Sequence, residues 1–175
     1  VAALAGALLA AGCGGKAAKK APPPGTPTTV ETLCDGKNGS AVRVTGYFRY
    51  KRALSASWCE TFSDEHTCEM SLYADPDTPP SGGIEGVLDT RPPMTFVSLY
   101  VPVGRQPGEM KEPPAKFDDG DILLHLAGGA KAGEGDRVTL DGILSSTQEP
   151  ADPAVAGSTP RRHCWLTVTW AQAPS

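Results

Sequence analysis

Along residues 30–175, short alternations of apolar and polar side chains recur between glycine and proline residues. Six runs stand out: 41–49 (AVRVTGYFR), 68–73 (CEMSLY), 94–103 (MTFVSLYVPV), 122–126 (ILLHL), 137–144 (RVTLDGIL) and 165–170 (WLTVTW). A period of two is the signature of a strand with one buried face. It sets Val42, Val44 and Phe48 against Arg43, Thr45 and Arg49 in the first run. Val138, Leu140 and Leu144 share a face in the fifth run, and Leu166, Val168 and Trp170 oppose Trp165, Thr167 and Thr169 in the last. The fourth run reads as an extra strand or as one turn of helix. No helical period runs beyond two turns, so the pattern predicts an all-β domain, a small barrel or a sandwich.

Two of the runs share a motif. Val42-Arg-Val-Thr-Gly46-Tyr-Phe48 aligns with Val138-Thr-Leu-Asp-Gly142-Ile-Leu144, each with a glycine at the same interior position. Glycine inside a strand marks a bulge or a bend at a barrel corner. An early VxVTG strand, a late strand entered through Gly135-Asp136-Arg137-Val138 and a short apolar final strand resemble the OB-fold, a five-stranded Greek-key barrel. The resemblance covers about residues 40–170. It implies a five- to six-stranded OB-like barrel, with 122–126 as an added strand or the remnant of a helix. Long Gly- and Pro-rich connections at 74–93, 102–120 and 145–163 are expected as loops.

The first 29 residues have a different character. Residues 1–12, VAALAGALLAAG, are uncharged and apolar or small, which matches the apolar core of a secretory signal and is too short to span a bilayer. No basic stretch precedes Val1, so the start of the signal is expected upstream. Leu9-Ala10-Ala11-Gly12-Cys13 resembles the lipobox of bacterial lipoproteins, with Ala10 where the family usually carries leucine. The resemblance implies diacylglycerol on the Cys13 thiol, cleavage before Cys13 and acylation of the new amine. Gly14, rather than aspartate, after the lipidated residue implies the outer membrane, with the domain facing the periplasm. Residues 13–29 then read as the lipidated cysteine and a disordered, Pro- and Lys-rich tether, with Lys16, Lys19 and Lys20 close to the anchored end. The folded domain is expected over 30–175.

Charge narrows the partner. The chain holds 16 Lys and Arg against 20 Asp and Glu, and three of the lysines fall in the tether, leaving 13 against 20 in the domain, a net −7. That opposes the nucleic-acid binding common among OB barrels, which needs a basic groove. The aromatic residues Tyr47, Tyr50, Trp58 and Trp165 are instead candidates to stack on a sugar or dock a protein. Setting Cys13 aside leaves Cys34, Cys59, Cys68 and Cys164, an even number that implies two disulfides after export. Of three pairings, we expect Cys59–Cys68, closing a ten-residue loop, with Cys34–Cys164 tying the start of the domain to its last strand.

Cys59, Cys68, His66 and His163-Cys164 are zinc-type ligands, but their spacing follows no known zinc pattern, and no metal or cofactor is expected. Asp75-Pro-Asp77 and Asp118-Asp119-Gly120-Asp121 read as solvated acidic loops rather than calcium sites. His66 and His163 are expected to be exposed, and His125 to be a hydrogen-bonded strand residue. Hydrolase, P-loop and Rossmann motifs are absent from the sequence. The expected protein is a non-enzymatic, lipid-anchored envelope protein whose domain binds a protein or saccharide. A divergent periplasmic hydrolase and an enzyme accessory or inhibitor module are the alternatives.

Overall fold

The computed structural model describes residues 19–50, 59–62, 65–77, 96–114, 116, 118–150 and 161–174. Nine strands are found among them: β1 (Thr26–Thr28), β2 (Ala41–Tyr50), β3 (Cys59–Phe62), β4 (Glu65–Tyr73), β5 (Phe96–Pro102), β6 (Leu124–His125), β7 (Lys131–Ala132), β8 (Arg137–Glu149) and β9 (Arg161–Gln172). Seven form one sheet in the order β1-β2-β8-β9-β5-β4-β3, and β2 pairs additionally with β4. That added pairing closes β2, β8, β9, β5 and β4 into a barrel-like ring. Its neighbours are antiparallel except β5 and β9, which run parallel at 98–100 against 165–167. The ring has the five-stranded, all-β arrangement that the resemblance implied.

Alternation places the core inside the ring. Val42, Val44, Phe48, Cys68, Met70, Leu72, Val97, Leu99, Val101, Val138, Leu140, Leu144, Leu166 and Val168 are all buried in one cluster. The two matched glycines sit where neighbouring backbone comes closest. β2 leaves β8 and joins β4 around Tyr47, which pairs with both Arg137 and Tyr73. A Cβ on the adjacent Gly46 would lie 2.6 Å from the Tyr73 carbonyl oxygen. At Gly142 the register with β9 skips one residue, a bulge, and a Cβ there would lie 2.5 Å from the Thr167 carbonyl oxygen.

The run at 122–126 carries the extra strand rather than a helical turn, and that strand stands outside the ring. Leu124–His125 pairs with Lys131–Ala132 as a small separate hairpin, and Ile122, Leu124 and Leu126 alternate into the main core beside Met110. Short backbone bridges hold it there, from Val103 to Met110 and from Met110 to Leu124.

The fold also takes in part of the expected tether. Thr26–Thr28 pair in parallel with 42–44, as an edge strand on which Pro27 is tolerated. Val30 and Leu33 are buried in the core. Gly25 donates its N–H to Asp141 Oδ1 at 3.0 Å, and Arg43 grips the same carboxylate with two bonds of 2.9 and 2.7 Å. Hydrogen bonding to Asp141 raises the Arg43 guanidinium above its ordinary value against the opposing effect of burial, with the Asp141 charge adding to the rise. Replacing Asp141 by alanine removes both guanidinium bonds and the acceptor for Gly25. The Arg43 side chain keeps 30% exposure and can rehydrate, so the expected loss is about 2 kcal/mol rather than that of a fully buried pair. Urea unfolding reads the loss, and hydrogen exchange should show the Thr26 and Thr28 amides losing protection first.

Cys34 is joined to Cys164, and Cys59 to Cys68. The first bond links the 3₁₀ turn Leu33–Asp35 to β9, and the second crosses directly opposed residues of β3 and β4. Two such bonds indicate an oxidising compartment outside the cytosol. Among the described residues, no helix is long and apolar enough to cross a membrane.

Candidate functional site

An open groove of about 300 Å³ lies on the outer face of the ring, lined by Glu65, Thr67, Tyr100, Trp165 and Thr167. Its position follows from the strand period. In β4, Cys68, Met70 and Leu72 point inward, which turns Glu65, Thr67 and Glu69 outward. In β5, Val97, Leu99 and Val101 point inward and Tyr100 outward. In β9, Leu166 and Val168 point inward, with Trp165 and Thr167 opposite. The parallel register sets Thr167 beside Tyr100 and Trp165 beside Ser98. Tyr100 and Trp165 meet edge to face, with centroids 6.2 Å apart and planes at 84°.

Two kinds of chemistry share this surface. The aromatic pair offers flat apolar area in an arrangement that is itself favourable. Around it stand the Thr67 and Thr167 hydroxyls, the Tyr100 phenol and the Glu65 carboxylate. Burial raises the Tyr100 phenol above its ordinary value, and the Glu69 and Glu60 carboxylates push it further. The shift favours the neutral phenol, which can donate a hydrogen bond to a ligand.

Of the four aromatics named from sequence, Trp165 alone is placed in the groove. Tyr47 is half-buried on β2, which pairs with residues 70–73 of β4, whereas Glu65 and Thr67 lie at the other end of that strand. The backbone of Tyr50 ends β2. Trp58 lies outside the described residues, as do Cys13 and the rest of the expected signal. Tyr100 was missed, although alternation within 94–103 would have turned it outward. Its partnership with Trp165 depends on the pairing of strands far apart in sequence.

The other candidate groups have local duties. Tyr73 stacks on Phe96 at 5.3 Å, and Arg49 lies 5.3 Å above the Tyr73 ring while donating to the Pro76 carbonyl. The sulfurs of the zinc-type set are committed to disulfides, and His66 Nε2 lies 3.0 Å from Glu112 Oε1. Asp75 accepts from the N–H of Asp77, and Asp118 from that of Gly120, so each carboxylate caps its own turn. His66 and His163 are half-buried rather than exposed, since both stand on paired strands.

His125 is also half-buried. Burial lowers its imidazole from the ordinary value, Lys131 lowers it further, Glu109 opposes and Arg105 adds to the lowering. The unfolded chain therefore binds this proton more readily than the folded one. Stability is expected to fall as pH drops from the ordinary histidine value of 6.5 through the lower folded value. A His125→Gln variant should flatten that part of the stability–pH curve, measured by urea unfolding between neutral and mildly acidic pH.

Comparison with known proteins finds no matching family and no matching curated protein.

Proposed function

We propose that this chain is a lipid-anchored envelope protein whose OB-like domain is a non-enzymatic binding module for a saccharide, held on the outer face of β4, β5 and β9. The observation that carries the reading is the groove in which Tyr100 and Trp165 stand among Glu65, Thr67 and Thr167. Aromatic faces cover the apolar C–H face of a sugar ring, and hydroxyl and carboxylate groups exchange hydrogen bonds with its hydroxyls. The groove spans the second and third strands of the ring, the face that OB barrels use for oligonucleotides and oligosaccharides. Glu60, Glu65 and Glu69 near it disfavour the first of these, because a phosphate backbone would meet carboxylates.

The anchor rests on the lipobox-like segment ending in Cys13 and on the oxidised state of the four remaining cysteines. Intact-mass analysis of the mature protein is expected to show a chain beginning at Cys13 and carrying acyl chains; an unmodified Cys13 contradicts the anchor. The groove is tested by co-sedimentation with purified peptidoglycan. Trp165→Ala should weaken binding about tenfold or more, as truncation of an aromatic anchor does. Tyr47→Ala, on a different part of the surface, should leave binding unchanged. A parent protein that does not sediment with the saccharide contradicts the proposal.

A further inference from the structure

We propose that one end of the domain is a membrane-facing surface that rests on anionic lipid head groups, with Lys19, Lys20, Arg105 and Lys131 as its contacts. The inference rests on the reading of Cys13 as the anchor and adds an orientation to it. Three segments build this end. The 105–109 turn and the β6–β7 hairpin are joined through backbone, with Gly108 N–H donating to the His125 carbonyl at 2.9 Å and His125 N–H to the Glu109 carbonyl at 2.8 Å. Lys131 stands opposite His125 in the hairpin. The N-terminal segment joins them where Lys19 N–H donates to Gln106 Oε1 at 3.0 Å, with the Lys19 ammonium 4.0 Å from Glu109.

Positive charge is gathered here although residues 19–175 hold 15 Lys and Arg against 20 Asp and Glu, a net −5. Lys19, Lys20, Arg105 and Lys131 are all exposed. Among the described residues, no carboxylate is paired with Lys20, Arg105 or Lys131. The carboxylate of Glu109 is engaged by the Gln106 N–H at 2.8 Å as well as by Lys19. The hairpin tip between β6 and β7 is Ala127-Gly128-Gly129-Ala130, and nothing lies within 4 Å of a Cβ built on either glycine. Such a tip puts no bulky side chain between the cations and a flat surface.

The chain length supplies the second argument. Six residue steps separate Cys13 from Lys19, a reach of at most about 20 Å. From Lys19 onward the chain is fixed to the domain, by Gln106, by Asp141 and by the β1–β2 pairing. An anchor so close to a fixed point brings this end to the bilayer. Basic residues near an anionic surface attract it over about a Debye length, and each contributes roughly fivefold in binding.

The test uses residues 14–175, which retain every described strand, the core and both disulfides but not the acylation site. Vesicles of phosphatidylcholine with phosphatidylglycerol should sediment this protein, and vesicles of phosphatidylcholine alone should not. Binding should disappear as salt is raised. Arg105→Gln with Lys131→Gln should weaken it by about twentyfold or more. Lys37→Gln, the same charge change in the loop before β2, should leave binding within about twofold. Absence of binding to the anionic vesicles, equal binding to both kinds, or full binding by the double variant would overturn the proposal. No acyl chain takes part, so an unlipidated Cys13 would defeat the anchor without touching this result.

Discussion

Replacing Cys34 and Cys164 together by alanine is expected to destabilise the domain by about 5 kcal/mol, against about 3 kcal/mol or less for the Cys59/Cys68 pair. The difference lies in the unfolded chain. The first bond spans a sequence separation of 130 and the second one of 9, and the loop-closure entropy withheld from the unfolded state grows with the logarithm of that length. Both cysteines of the long bond are buried, but alanine removes only the sulfur from each, so the void is small and chain entropy dominates. The bond also has a structural role. It fastens the Leu33–Asp35 turn, which carries buried Leu33, to the strand that completes the parallel pairing with β5. Guanidinium unfolding of the two double variants measures both losses. A loss for Cys34/Cys164 no larger than that for Cys59/Cys68 contradicts the reasoning.

Gly46→Ala and Gly142→Ala are each expected to cost about 3 kcal/mol or more. A methyl at Gly46 would meet the Tyr73 carbonyl oxygen at 2.6 Å and Leu72 Cγ at 2.8 Å. At Gly142 it would meet the Thr167 carbonyl oxygen at 2.5 Å and Leu166 Cδ1 at 2.8 Å. The opposing atoms include backbone of paired strands, which cannot rotate away, so relief requires the ring to open locally. Overpacking of a well-packed interior typically costs about 1–3 kcal/mol, and immovable partners place these sites at or above the upper end. Gly133→Ala is the control, since the nearest atoms there are 3.8 Å away and the change should lie within about 0.5 kcal/mol. Thermal unfolding of the three variants separates the cases. A Gly46→Ala protein as stable as the Gly133→Ala protein would mean that β2 does not turn its corner at this residue.

The core faces were readable because alternation is a local property. Val42, Val44 and Phe48 point inward for the same reason as Leu166 and Val168, and neither group needs knowledge of its neighbours. The two corner glycines were readable as a repeat. The strand Thr26–Thr28 was not, because Thr-Pro-Thr in a Pro-rich stretch has no apolar face and is held by backbone pairing and the Gly25–Asp141 bond. The extra strand within 122–126 was readable as one of two alternatives, but its pairing with Lys131–Ala132 outside the ring was not. The groove was half visible. Trp165 was named from its residue type, but Tyr100, Thr67 and Glu65 reach it through β4–β5 and β5–β9 pairings that join distant residues.

The reading of the domain as a saccharide-binding module depends on where a ligand sits. Nuclear magnetic resonance of the labelled protein, titrated with soluble peptidoglycan fragments, tests that directly. Saturable shifts are expected for the Trp165 indole N–H and for the Thr67, Tyr100 and Thr167 amides, with Tyr47 and the 122–132 hairpin unmoved. Shifts centred elsewhere on the barrel, or none at saturating saccharide, would contradict it.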